Sequence, residues 1–404
     1  MKRLVASILA PILAWAQGGS NYSMFGIGDL RPSVGALYDG ANSSAVALPS
    51  EYGISTVNPA LWTFVTSTRL QGGYRFHQQR ISSQAGTAAQ NNGKVEGLLL
   101  IFAVDTSKGW SVGTGFYPLT SVNATAAVPL RAVVLDDTLV GSYRVLASGG
   151  ITVAYVGIAM KPIPTVGVGL SVRYYFGLFQ AERVTQFLDQ WSAPDTQAVT
   201  DWLSGVGMSA GIWHRPHPHW LWAVAITIPT VLSTQQVWRY AYPHTFADTT
   251  FTREFRWSLP ASIAGGISYH HGRLVVGAEA LYADLRRLDY RSSPIANFQP
   301  LYSLSASLLR TASPREGRSY WDRIGVAVGV RWSRLYYRVH GHSISEYALS
   351  GGLSLPLGNA AMLDMACQVG TRGRNIPRLV QEWFGRFSFT LSLGEQWFLP
   401  VRRR

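Results

Sequence analysis

The chain is poor in cysteine, in lysine and in charge altogether. Cys367 stands alone, so no internal disulfide can form, and it is expected to be a small buried apolar residue. Charged residues make up only 14% of the 404 positions, where a soluble domain carries about 25%. That is too little to coat a water-facing surface. Four lysines and singly scattered arginines make no basic module, which excludes nucleic acid as a partner despite the net charge of +13. Past the N-terminus no apolar run nears the roughly 18 residues of a membrane-spanning helix. With 47% hydrophobic residues the chain is also not disordered.

What is present begins with Met1-Lys2-Arg3, the apolar run Leu4 to Leu13 and Ala14-Trp15-Ala16 before Gln17. This reads as a signal peptide over residues 1–16, and export implies a mature start near Gln17.

The rest alternates with period two. Phe387, Phe389, Leu391, Leu393 and Trp397 share one face, opposite Arg386, Ser388, Thr390, Ser392 and Gly394. Val166 to Phe176 and Ile324 to Trp332 repeat the pattern. A half-buried soluble sheet alternates too, so the second face decides between them. Here it is Gly, Ser, Ala, Thr and Arg in place of a Lys/Glu coat, which points to lipid outside and a small polar lumen inside. The expected fold is all-β: a closed transmembrane antiparallel β-barrel of about 14 strands, because an open edge in lipid would leave backbone groups unpaired. It should occupy residues 66–398, followed by a short basic tail, 399–404. The apolar parity shifts between Trp332 and Leu335, which predicts a bulge in a strand over 320–340. Tight turns such as 105–108 and 161–164 alternate with long connections, 83–93, 121–139, 181–204, 234–256 and 289–299, so an even strand count returns the C-terminus to the periplasm. Residues 17–65 lack alternation, yet Phe25, Leu30, Leu37, Tyr38, Tyr52 and Leu61 are too apolar for a solvated tail. They predict a plug.

Several stretches carry a family resemblance: Tyr22 to Asp29, Asn58-Pro59-Ala60, Trp110 to Pro118, Leu259-Pro260 through Tyr269, Gly351 to Leu357, and Glu382 leading to Trp397-Phe398. In their order and spacing the chain resembles the long-chain fatty-acid transporters of outer membranes, the FadL-like family, in its divergent Bacteroidetes-type form. The plug departs from the family pattern, with Val34-Gly35-Ala36 and Asp39-Gly40-Ala41 where paired glycines are usual. The resemblance implies a fourteen-stranded barrel and an N-terminal hatch, built here around Phe25, Asn58, Pro59 and Ala60. It also implies passive uptake of hydrophobic compounds that leave sideways at a kink in the third strand.

Candidate residues follow. Val184, Phe187, Leu188 and Trp191, then Val199, Trp202 and Leu203, fall at helical spacing and predict amphipathic helices in the loop over 181–204. With Trp238, Tyr240, Tyr242, Phe246 and Phe251 they form the candidate capture surface, although such aromatics also pack on one another. Gly113, Gly115 and Pro118 mark the candidate lateral gate, since a proline inside a strand belongs at an edge or irregularity. Inward Arg173, Arg331, Arg338 and Arg386 suit a carboxylate, or else pair with Glu279, Glu346 or Asp364. The histidines at 214, 217, 219, 270, 271, 340 and 342 have no carboxylate or cysteine to complete a metal set. No nucleophile or phosphate-binding motif occurs. The chain is thus expected to be a monomeric, cofactor-free, non-enzymatic outer-membrane channel whose partners are hydrophobic small molecules and membrane lipid. The open alternative is a non-transporting barrel of the same family that binds protein in a secretion system.

Overall fold

A computed structural model describes residues 19–395 and Trp397, apart from positions 32, 85, 135–136, 189–192, 243–245, 292, 294, 314–318 and 359. The expected signal peptide, residues 1–16, and the expected basic tail, 399–404, lie outside the described residues.

Fourteen antiparallel strands form the wall. They are β1 (Thr68–Ser83), β2 (Gly86–Asp105), β3 (Trp110–Pro118 and Thr120–Val134), β4 (Asp137–Ile163), β5 (Val166–Phe187), β6 (Asp195–His217) and β7 (Trp220–Thr227 and Thr230–Tyr242). There follow β8 (Phe246–Leu259 and Ser262–His271), β9 (Leu274–Asp284), β10 (Pro300–Arg310), β11 (Gly325–Val339), β12 (His342–Pro356), β13 (Ala361–Gly373) and β14 (Gln381–Glu395). β14 pairs with β1 from Glu395↔Thr68 to Gln381↔Ser82, which closes the barrel. The interruptions in β3, β7 and β8 fall beside Pro118, Pro229 and Pro260, where the missing N–H cannot serve a ladder.

The alternation sets the two faces. Leu170, Val172, Tyr174 and Phe176 of β5 point outward and are exposed, while Ser171, Arg173 and Tyr175 are buried within. Trp110, Trp220 and Trp222 mark one rim of the outward apolar belt, and Tyr74, Tyr174, Tyr302, Tyr347 and Trp383 the other, as the aromatic girdles of a membrane barrel do. The expected bulge appears as a register shift between Arg334 and Arg338.

Several expectations need correction. The segments 83–93, 121–139, 181–204 and 234–256 are chiefly strand, so β2 to β8 project well past the belt. The helical spacing of Val184, Phe187 and Leu203 is a coincidence of strand residues: β5 runs to Phe187 and β6 begins at Asp195. Residues Tyr320–Arg323 form a short helix, and β11 starts only at Gly325. Cys367 is exposed on the outward face instead of buried.

In the projecting part the polarity inverts. Gln180 and Glu182 now face outward, while Phe179, Leu203 and Trp257 are buried inside. A polar outside and an apolar inside suit a wall standing in water.

Candidate functional site

Residues 19–65 lie inside the ring, bonded to strands all around it. Ser20 Oγ and Asn21 N donate to Glu382 of β14 at 2.7 and 2.8 Å. Ala36 N donates to Thr390 Oγ1 at 2.8 Å, and Ser350 Oγ of β12 donates to Gly40 O at 2.7 Å. Glu279 of β9 gathers four donors of the segment: Ser43 Oγ and the amides of Ser44, Val46 and Ala47, at 2.6 to 3.0 Å. A carboxylate ringed by backbone N–H groups fixes the loop by charge-assisted bonds.

Asn58-Pro59-Ala60 starts a short helix, Pro59–Phe64, and Asn58 caps it by accepting from Ala60 N at 3.0 Å. Two wall glycines make room for it. A Cβ at Gly211 would stand 1.9 Å from Asn58 Oδ1, and one at Gly169 would stand 2.5 Å from Ala60 N. Phe25 is buried, its ring 6.1 Å from that of Tyr337.

The wall divides beside the third strand. β2 and β3 pair from Asp105↔Trp110 up to Leu98↔Phe116 and then part. Above that fork, among the described residues, Gly86–Gly97 and Thr120–Val134 share no backbone pair, although β2 stays on β1 and β3 stays on β4. Gly97, at φ +102°, sits at the fork, where a Cβ would lie 2.1 Å from Phe116 O, so no larger residue can take its place unstrained. Two side chains cross the seam: Lys94 Nζ donates to Ser121 Oγ at 2.6 Å and Gln90 Nε2 to Thr125 O at 3.1 Å. From the lumen, Asp29 and Leu30 pair with Ser121 and Thr120, and Arg31 N donates to Leu119 O at 2.9 Å. The N-terminal segment therefore covers the free edge of β3, and the Arg31–Glu96 ion pair ties that cover to β2. Burial lowers the Arg31 pKa, and the neighbouring Arg75 lowers it further, against the opposing pull of Glu96.

The proposed gate residues lie on the lower branch of this fork. Gly115 pairs with Leu99, and a Cβ there would stand 2.4 Å from Leu98 O. Pro118 is the last residue before the break, and Gly113 lies against the Trp62 ring. Sequence reasoning missed the ion pair that ties the cover to the seam, Arg31 with Glu96, because its partners are 65 positions apart and belong to no motif.

Of the predicted capture residues, Trp238, Tyr240 and Tyr242 form a row on the inner face of β7, with successive rings 6.1 and 6.0 Å apart. Phe251 of β8 meets Tyr240 edge-on at 6.1 Å. The register of β5 puts Phe187 on the same inner side. Trp202 does not join them: it faces outward, since its neighbours Asp201 and Leu203 are the buried ones. Trp191 lies outside the described residues, and Phe246 is the first residue of β8. Below this row Tyr290, from the connection after β9, stacks on Trp257 at 4.4 Å and donates to Asp201 at 2.7 Å.

Arg338, expected inward, is instead exposed and donates to Gly341 O at 2.7 Å, while the other predicted arginines are engaged within the lumen. Arg173 donates to Thr56 O at 2.8 Å. Arg331, Arg372 and Arg386 all converge on Glu346, at 3.3, 2.5 and 3.3 Å. Glu279 serves the N-terminal segment, and Asp364 accepts from Ser354. A cavity of about 220 Å³ lies among these groups, with Lys94, Leu119 and Ser121 of the seam in its wall. Among the described residues no cluster of histidine, cysteine or carboxylate groups is placed to hold a metal ion.

The sequence profile of the BamG family matches residues 1–403. The chain belongs to the BamG family. No curated protein matches this BamG-family chain in sequence. Among solved structures it is similar to a Pseudomonas aeruginosa FadL homologue, with a TM-score of 0.63 at 11% identity over 93% of this chain and 100% of that one. It is also similar to the CymD monoaromatic hydrocarbon channel, with a TM-score of 0.60 at 14% identity over 91% and 99%. A third is the P. putida toluene transporter TodX, with a TM-score of 0.57 at 11% identity over 85% and 93%. At such identities the likeness is one of fold: a FadL-like β-barrel.

Proposed function

We propose that this chain is an outer-membrane channel for passive uptake of hydrophobic compounds. The projecting strands face the outside, and their inner aromatic row, Trp238, Tyr240, Tyr242 and Phe251, captures the solute. The solute descends to the lumen cavity and leaves sideways between β2 and β3. Residues 19–65 act as the hatch that closes the direct route to the periplasm.

The fork above Leu98↔Phe116 carries this reading. A sheet crossing lipid keeps every edge paired, and here one edge is instead closed by a removable segment and two side-chain bonds. Outward residues at its base, Val95, Leu98 and Phe116, are apolar and exposed, so a solute released there meets the outer leaflet. Long-chain fatty acids and single-ring hydrocarbons are the two solute classes to test. Radiolabelled oleate and toluene uptake by transporter-deleted cells should rise over empty vector for at least one of them. Uptake equal to vector, with the folded barrel present at the surface, rejects the channel.

That second outcome would favour a non-transporting barrel that binds protein in a larger assembly. The observation on its side is the ion-paired cover of the seam, which makes the wall closed as it stands.

A further inference from the structure

We propose that the lumen cavity is a binding site for a small carboxylate with a compact apolar body, a single-ring aromatic acid. This names a solute class for the channel reading and rests on that reading for its delivery. Size comes first. A cavity of about 150 Å³ accepts benzene, so the 220 Å³ here holds one ring with a carboxylate. A long acyl chain has about three times benzene's carbon count and would not be enclosed.

The lining has two characters. Tyr117, Tyr175, Leu259, Leu281, Leu335 and Tyr337 supply an apolar, aromatic side. In the same lining, three guanidinium groups share the single carboxylate of Glu346. Seven lysine and arginine side chains line the cavity against three carboxylates. Adding Glu96 and Glu382, which pair with Arg31 and Arg372 from behind the wall, makes five. Two positive charges are left over among these buried and half-buried groups, and a charge withdrawn from water is costly without a counter-charge. A bound carboxylate supplies one.

Unpartnered polar atoms point the same way. Tyr337 Oη, Arg173 Nε and Arg31 Nε have no hydrogen-bond partner, and these residues are only 1%, 6% and 8% exposed. Buried donors are almost always satisfied, and a carboxylate can accept from several at once. The tyrosine wall explains why the acid carries a ring: a bare anion would leave the apolar side uncovered.

The test is calorimetric titration of the detergent-purified full chain with benzoate, toluene, acetate, chloride and oleate. Benzoate should bind at least about tenfold more tightly than toluene, acetate or chloride, because it alone meets both walls. Arg331→Gln should weaken benzoate about tenfold and leave toluene unchanged, as loss of a charge-assisted bond does. Tyr337→Phe, a change of one hydroxyl, should weaken benzoate about threefold, and heat-shifted gel mobility should show both variants folded. Acetate or chloride binding as tightly as benzoate would reduce the site to a bare anion hole and overturn the proposal. Equal toluene affinity, or oleate displacing benzoate from the same site, would overturn it as well. Benzoate binding without cellular uptake of any solute would sink the channel reading and leave the site standing. Oleate or toluene uptake without benzoate binding would do the reverse.

Discussion

Arg31 of the N-terminal segment is ion-paired with Glu96 of β2, and both side chains are buried, 8% and 1% exposed. The pair joins the segment that covers the free edge of β3 to the strand on the other side of the seam. Removing one partner of a buried pair leaves an uncompensated charge, at about 3–5 kcal/mol. Glu96→Gln should therefore loosen the cover. With Cys367→Ser as background, a cysteine replacing buried Thr120 should react with maleimide about 100-fold faster once Glu96 is neutralised. An unchanged rate would show that Asp29–Leu30 holds the edge without the ion pair.

Glu279 is the second anchor of that segment, accepting from one hydroxyl and three amides. Glu279→Ala orphans all four donors, a loss of at least about 3 kcal/mol. Hydrogen exchange at the amides of Ser44, Val46 and Ala47 should speed up about 100-fold while exchange in β9 stays slow. Equal acceleration throughout β9 would mean the carboxylate supports the wall and not the loop.

Tyr290 covers the base of the aromatic row. Its ring is nearly parallel to that of Trp257, and its hydroxyl reaches Asp201. Tyr290→Phe keeps the stack and loses a bond to a charged group, about 1.5–3 kcal/mol, whereas Tyr290→Ala also empties the ring's place, at about 3–5 kcal/mol. Thermal unfolding in detergent should rank the two in that order. Equal losses would assign the whole effect to the hydrogen bond.

The barrel was legible because lipid imposes a plain code: outward Val172, Tyr174 and Phe176 against inward Ser171 and Arg173 can be read without any distant partner. The same code failed where the strands leave the belt. There Phe179, Phe187 and Leu203 turn inward and Gln180 and Glu182 outward, so apolar residues no longer mark the outer face, and a projecting strand passes for a loop. Pro118 and Gly115 pointed to the irregularity in β3, because one lacks an N–H and the other tolerates close approach. What covers that irregularity was not legible. Arg31 meets Glu96, and Asp29 meets Arg372, only after a segment without periodicity folds back into the ring. Arginines look alike in sequence whether they await a ligand or are already paired, and only the shared use of Glu346 distinguishes them.

Locking the seam tests the account most directly. In a Cys367→Ser background, cysteines replacing Gln90 and Thr125, whose groups touch across the gap at 3.1 Å, can be bridged by a bismaleimide. Uptake of the transported solute by the bridged protein should fall at least about tenfold relative to the same protein with its thiols singly capped, because the proposed sideways exit is closed. Undiminished uptake through a bridged, folded barrel would contradict the lateral route.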